Sequence, residues 1–214
     1  MRLNPAAFNA FLSGNIAQSM LWRSNTICPC VSAFSNAANP RCPHCAGKGR
    51  VWADPVPAKA GMTRQQIDVN FSQQVSWEMG DATLTVDESS PMYDAGQFDR
   101  ITLLNSTDRF SVVLTRGAPT ERLFMKVEKI DSVFWYTGEQ GQGTVVVGSI
   151  PTVSDDGVLT WPDDAMPLGK DYAITGTRFA EYFLYLDLPS DRAEHFGARL
   201  PKLMRARRFE LFGR

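Results

Sequence analysis

All four cysteines of this 214-residue chain fall within eighteen positions: Cys28-Pro29-Cys30, then eleven residues, then Cys42-Pro43-His44-Cys45. Two close pairs of thiols joined by a loop suit a tetrahedral metal site, because Zn2+ takes four soft ligands and each pair can form a knuckle that turns both sulfurs toward one ion. The second pair runs on into Ala46-Gly47-Lys48-Gly49. Its glycines allow the backbone to fold back and aim amide N–H groups at thiolate sulfur. The first pair, with one residue between its cysteines, is the less usual half, and free or oxidised thiols are the competing reading. The expectation is a structural Zn2+ held by Cys28, Cys30, Cys42 and Cys45. His44 is able to replace one of them but is expected to face solvent as a knuckle residue.

Little else in the chain suits catalysis. A four-sulfur site is closed and leaves no position for water. His195 is the only histidine besides His44, which leaves almost no material for a Ser/His/Asp or Cys/His nucleophile. The carboxylate pairs Asp87-Glu88, Asp155-Asp156 and Asp163-Asp164 sit in expected turns, where solvated loop carboxylates are the ordinary reading. No Walker-type loop or Gly-x-Gly-x-x-Gly follows a strand pattern. The aromatic runs Phe134-Trp135-Tyr136 and Tyr182-Phe183-Leu184-Tyr185 suit buried strands or subunit contacts better than base-stacking platforms. The chain is therefore expected not to be an enzyme.

The elements that must position the cysteines follow from pattern. Asn4 to Leu12 is expected as a short helix, with Asn4 as cap, Pro5 in the first turn and Phe8, Phe11 and Leu12 on one face. Asn25 to Pro57 is rich in Pro and Gly, lacks periodicity and cannot bury a core of its own, so something else must hold it. From Gln66 onward, short alternating runs separated by turns predict a strand meander: Asp68–Trp77, Ala82–Val86, Asp99–Leu104, Arg109–Thr115, Arg122–Lys129, Ser132–Tyr136, Gly143–Ile150, Val158–Trp161, Tyr172–Thr175 and Ala180–Leu186. Strands without intervening helices imply a mainly β chain, a barrel or sandwich, and argue against a doubly wound nucleotide fold. The expected organisation is an N-terminal helix and zinc knuckle over 1–60, an acidic β-rich domain over 61–191 and a basic C-terminal arm over 192–214. That last segment reads either as a strand or arm around Arg208–Phe212 or as helical turns after Pro201. An arm packing on a neighbouring subunit is favoured over an ordinary last strand of the same domain.

With 43% hydrophobic and 21% charged residues the chain can build a globular core, which excludes disordered and fibrous classes. The formal net charge of −1 conceals an uneven distribution. Residues 1–59 carry six cations against Asp54 alone, residues 195–214 six against Glu210, and residues 60–194 ten against twenty-one carboxylates. A strongly basic nucleic-acid-binding domain is excluded, although either basic end could meet phosphate or an acidic partner surface. No apolar run approaches the roughly 20 residues of a membrane span, and no apolar stretch of a secretory signal follows Arg2. A reducing compartment is therefore expected, where clustered thiols hold metal more often than they form disulfides.

Several blocks together resemble the neck, or head–tail connector, proteins of tailed bacteriophages. They are the Asn4-Pro5 beginning, Trp22-Arg23 leading into Cys28-Pro29-Cys30, the Asn39-Pro40 linker, Cys42-Pro43-His44-Cys45-Ala46-Gly47-Lys48-Gly49-Arg50-Val51-Trp52 and the acidic β-rich region. Phe98-Asp99-Arg100-Ile101-Thr102-Leu103-Leu104-Asn105 and Arg199-Leu200-Pro201-Lys202 add to the likeness. The resemblance implies a virion protein assembled in the bacterial host cytoplasm. It would form a homo-oligomeric ring of six or twelve copies between portal or adaptor and tail proteins, with genomic DNA passing through the lumen without sequence recognition and no membrane involved. Cys-x-x-Cys-x-Gly-x-Gly is also the repeat of Hsp40-type co-chaperones, but that region uses several copies and no segment here resembles a J-domain. The alternative class is a zinc-stabilised adaptor module that binds protein or nucleic acid.

Overall fold

The structure is a computed structural model that describes residues 7, 9–10, 14, 17–64, 81–138, 143–162, 166–187, 194–195 and 198–212. The expected helix at Asn4–Leu12 lies largely outside these residues, and the expected strand Asp68–Trp77 lies wholly outside them. The chain is mainly β. Its strands among the described residues are β1 (Gln18–Arg23), β2 (Asn25–Ile27), β3 (Arg50–Trp52), β4 (Val56–Arg64), β5 (Ala82–Val86), β6 (Arg100–Thr115), β7 (Val127–Tyr136), β8 (Val145–Val147), β9 (Thr152–Val153), β10 (Leu159–Thr160), β11 (Asp171–Asp187), β12 (Glu194–His195), β13 (Ala198–Arg199) and β14 (Lys202–Arg208). Two compact units divide the chain: Met1–Thr26 with Trp52–Asn105 and Glu181–Arg214, and Ile27–Val51 with Ser106–Ala180.

The first unit is a closed barrel of six strands in the order β14-β5-β4-β1-β6-β11, sealed by a further pairing of β11 with β14. Register sets its interior. Met20 lies opposite Ala58 on one side and Leu103 on the other, Leu84 opposite Met62 and Met204, and Ala206 opposite Ala82 and Leu184. Alanines at 58, 60, 82 and 206 thus mix with Met20, Leu84, Leu103 and Met204, all buried, and the mixture of small and large side chains fills the barrel's interior.

The C-terminal segment departs from expectation. Instead of an arm, residues 202–208 form β14, the strand that closes the barrel. Met204 and Ala206 alternate inward, a period-two signal that competed with the helical reading of Leu200 to Arg208. Its cations have partners on the same unit. Arg207 holds Asp81 through Nε at 3.0 Å and Nη2 at 3.1 Å and lies 4.5 Å from the Tyr185 ring, while Tyr185 donates to the same carboxylate at 3.2 Å.

The barrel's outer wall buries an ion pair. Arg100 Nη2 donates to Glu181 Oε2, and Thr102 Oγ1 donates to Oε1 at 3.1 Å. The chain continues from β14 into a 3-10 turn at Phe209–Leu211, which sets Phe209 4.1 Å from the Arg100 guanidinium and packs Phe209 and Phe212 against Trp52 and Phe183. Arg suits this place because its planar, weakly hydrated group stacks on rings while donating sideways to a carboxylate.

The second unit contains the distal half of β6 and the proximal half of β11, followed in sheet order by β7 and β8, with the hairpin β9–β10. One face of the sheet buries Phe110, Val133, Tyr172 and Ile174 against Leu123, Leu159 and Met166. Glu121 sits beside this core and accepts from Trp161 Nε1 at 2.9 Å, the Tyr172 hydroxyl at 3.0 Å and the Gly117 amide at 2.6 Å. Burial first, and the Glu121 contact second, push the Tyr172 hydroxyl well above its ordinary range, so it stays a neutral donor. In the turn expected at Asp155–Gly157, Gly157 has φ +77°, and a Cβ there would fall 1.8 Å from the Leu123 carbonyl oxygen. Only glycine fits.

The expected turn over Asn105–Asp108 is the middle of β6, and the expected strands Tyr172–Thr175 and Ala180–Leu186 are one strand, β11. Leu104 to Thr107 are all exposed, so their run lacks the alternation that marks a strand with one buried face.

Removing one partner of a buried ion pair strands the other charge. Glu181→Ala is expected to cost about 3–5 kcal/mol, read as a lower urea midpoint with an unchanged slope.

Candidate metal centre

Residues 27–51 have almost no apolar mass. Ile27 is exposed and Phe34 wholly so, and Val51 is the main aliphatic side chain packed against the cysteines. The backbone is instead shaped by hydrogen bonds and by residues that tolerate positive φ. In the second knuckle the Ala46 amide donates to the Cys42 carbonyl at 2.9 Å and the Lys48 amide to the Cys45 carbonyl at 3.0 Å. Ala46, Gly47 and Gly49 take φ of 49°, 77° and 71°. In the first knuckle the Val31 amide donates to the Cys28 carbonyl at 3.0 Å, and the Cys28 amide to the Gly49 carbonyl at 2.9 Å. Strands β2 and β3 pair where the segment begins and ends.

These turns bring the four sulfurs within 4.8 Å of one another, with Cys28 and Cys42 3.9 Å apart and Cys30 and Cys45 3.5 Å apart. A tetrahedral ion with metal–sulfur bonds of about 2.3 Å has sulfur–sulfur edges of about 3.8 Å. The donor set and spacing therefore fit a single metal ion. Cys28, Cys42 and Cys45 are buried and Cys30 half-buried, which closes the cluster to solvent.

Electrostatics point the same way. The amides of Cys45 and then His44 donate to the Cys42 sulfur and hold its thiol down at about 6, against the opposing effect of burial. The amides of Cys30 and Asn39 likewise favour the thiolates of Cys28 and Cys30, yet burial and the neighbouring thiols leave both raised. Burial pushes the Cys45 thiol up despite the Gly49 amide beside it. Four thiolates so close repel one another, and a bound cation relieves that repulsion. The backbone N–H groups already aimed at sulfur then serve as the outer hydrogen bonds of a metal–thiolate site.

The residues that flank the segment on either side lie in the barrel unit and are held there by hydrogen bonds. Asp99, buried, accepts from Trp22 Nε1 at 2.9 Å, from the Asn25 amide at 2.9 Å and side chain at 2.7 Å, and from the Gly96 amide at 3.0 Å. On the other side Trp52 Nε1 donates to the Phe98 carbonyl at 3.1 Å. Sequence reasoning gave Asp99 no role as an anchor, since its partners Trp22 and Asn25 lie more than seventy positions away and no spacing connects them.

All four expected ligands come together. His44 is exposed, and its side chain is not part of the four-sulfur group. The carboxylate pairs do not converge with it. Asp155 pairs with Lys126 at 2.9 Å, Asp87 accepts from the Ser89 amide at 2.8 Å in a local turn, and Asp163-Asp164 lies outside the described residues.

Fold and cluster together define a mainly β protein with a closed six-stranded barrel and a four-cysteine segment spaced to hold one metal ion. Compared with known protein families and with curated proteins, the chain matches no family and no curated sequence.

Two substitutions test the centre. Cys42→Ser is expected to abolish tight metal retention and expose residues 27–51 to proteolysis, while the barrel keeps its strand signal in circular dichroism. Gly47→Ala forces an alanine to φ +77° with its Cβ 3.1 Å from the Pro40 Cα, and is expected to weaken metal affinity by about 1–2 kcal/mol, on the order of tenfold, in a competition titration with a chelator.

Proposed function

We propose that the chain is a structural, non-enzymatic component of the neck of a tailed bacteriophage. In this reading it forms a ring of six or twelve copies between portal or adaptor and tail proteins, and genomic DNA passes through the ring's lumen. The observation that carries the proposal is the cysteine cluster. The block through which the chain resembles neck proteins, Cys42 to Trp52, is the same block whose turns gather the sulfurs and whose last residue is anchored beside Phe98. Zn2+ is the metal of choice because four sulfurs in a closed tetrahedral set suit it and leave no open position for chemistry. Its role is to order a segment too poor in apolar residues to order itself. The carboxylate excess over residues 60–194 suits DNA passage, since an acidic lining repels phosphate and lets the duplex slide.

One observation favours the alternative of a zinc-stabilised adaptor. Phe34, wholly exposed, occupies the loop between the two cysteine pairs, and residues 27–51 contain Arg41, Lys48 and Arg50 but no carboxylate. An exposed ring among cations suits an acidic protein or a nucleic acid.

Native mass spectrometry of the full chain tests both readings. The neck reading expects six or twelve chains with one zinc per chain, and loss of the ring on chelation. A zinc-bearing monomer that binds DNA with a steep salt dependence supports the adaptor, and a zinc-free monomer overturns both.

A further inference from the structure

The six strands of the closed barrel leave no end strand, but the sheet of the second unit has one. Strand β8 is the last strand of its sheet, and among the described residues no strand pairs with its far side. Its ladder with β7 runs Phe134 opposite Val147, Trp135 opposite Val146 and Tyr136 opposite Val145. The Thr137 amide donates to the Thr144 carbonyl at 3.2 Å and the Gly148 amide to the Val133 carbonyl at 2.8 Å. These two bonds set the phase of an antiparallel ladder in which hydrogen-bonded and non-bonded pairs alternate. Val146 therefore directs its N–H and C=O toward Trp135, while Val145 and Val147 direct theirs outward, to the open edge.

Natural edges are blocked by charge, proline, bulges or cover. This one carries three valines in a stretch, residues 140–154, without a single charged side chain. The outer face beside it is apolar as well: Val145 and Val147 are 56% and 70% exposed, and Phe134 and Tyr136, their partners on β7, are 39% and 42% exposed.

We propose that two copies of this chain join edge to edge through β8, in an antiparallel pairing centred on Val146. The edge is self-complementary. A twofold axis at Val146 places Val145 opposite Val147 of the second copy, and the reverse. Both become hydrogen-bonded pairs, so all four outward backbone groups of each strand are satisfied at once. The same axis keeps the two apolar faces on one side of a continuous sheet, and an uncharged edge meets an uncharged edge without repulsion. The inference stands independently of the neck reading. A twofold contact joins copies in pairs and so requires even copy numbers, which six and twelve satisfy.

The test compares the metal-loaded full chain with two double variants by sedimentation equilibrium and native mass spectrometry. Val145→Lys with Val147→Lys sets like charges directly opposite across the axis, whereas Val145→Lys with Val147→Glu sets opposite charges there. Both positions are exposed, so metal content and thermal midpoint are expected to match those of the wild type. The wild type is expected in even copy numbers, the Lys/Lys variant to associate about tenfold more weakly or worse, and the Lys/Glu variant to keep its association. A wild type that stays monomeric at tens of micromolar, roughly the concentration at which weak specific contacts form, overturns the proposal. So do two variants that behave alike. A ring of six or twelve unchanged in both variants overturns the β8 contact and leaves the neck reading in place. A zinc-loaded dimer that the Lys/Lys variant splits, and that builds no ring, supports the contact and overturns the neck reading.

Discussion

Closure of the barrel by β14 is the constraint from which most of the first unit follows. A six-stranded sheet loses its edges only when the last strand finds the first, and β14 does this by pairing with β5 on one side and β11 on the other. The inner positions must then fill a small, tapering space, which explains alanines at 58, 60, 82 and 206 beside Met20, Leu84 and Met204. Closure also fixes where the chain leaves β14, and so where Phe209 and Phe212 land. Phe209, with Phe212 stacked beside it, covers the Arg100–Glu181 pair, which without cover would be an ordinary exposed salt bridge of little consequence. Under aromatic rings it becomes a buried pair that must keep both members.

The cysteine segment is built on a different principle. Where the barrel is ordered by area removed from water, residues 27–51 remove very little, and they are shaped by turns and by amide-to-sulfur bonds that bring four thiols to a spacing that fits one metal ion. Its attachment follows the same polar logic. One carboxylate, Asp99, gathers four N–H donors from Trp22, Asn25 and Gly96, and is satisfied in a way that leaves it no spare capacity for a ligand. Asp99 is thus an anchor within the barrel unit, where Trp22 and Trp52, on either side of the cysteines in sequence, donate to Asp99 and to the Phe98 carbonyl.

The treatment of sheet edges separates the units. Six strands close on themselves and present no edge, while the sheet that ends at β8 leaves outward N–H and C=O groups on two valines, Val145 and Val147. Its two faces also differ. Val133, Ile174 and Tyr172 are buried beneath it, while Phe134, Tyr136, Val145 and Val147 lie on the side without a core of their own. A sequence alternating apolar with apolar carries two faces to bury, and the described residues of one chain bury one.

The sequence by itself determined what depends on residue type and short spacing: a mainly β chain, a cluster of four cysteines at Cys28, Cys30, Cys42 and Cys45, and the turn at Asp155–Gly157. Residue types and the short spacings within each cysteine pair and each turn mark such features before the chain has a shape. Tertiary structure alone decided that residues 202–208 are a barrel strand, that Asn105–Asp108 continue a strand and that Asp99 is a hub. The hub and the C-terminal strand depend on partners seventy to more than one hundred and twenty positions away. An arginine-rich C-terminal segment reads as a docking arm until Asp81 and Tyr185 stand beside it, because the free energy of a charge or a lone strand is set by what surrounds it, and local spacing carries no record of those surroundings.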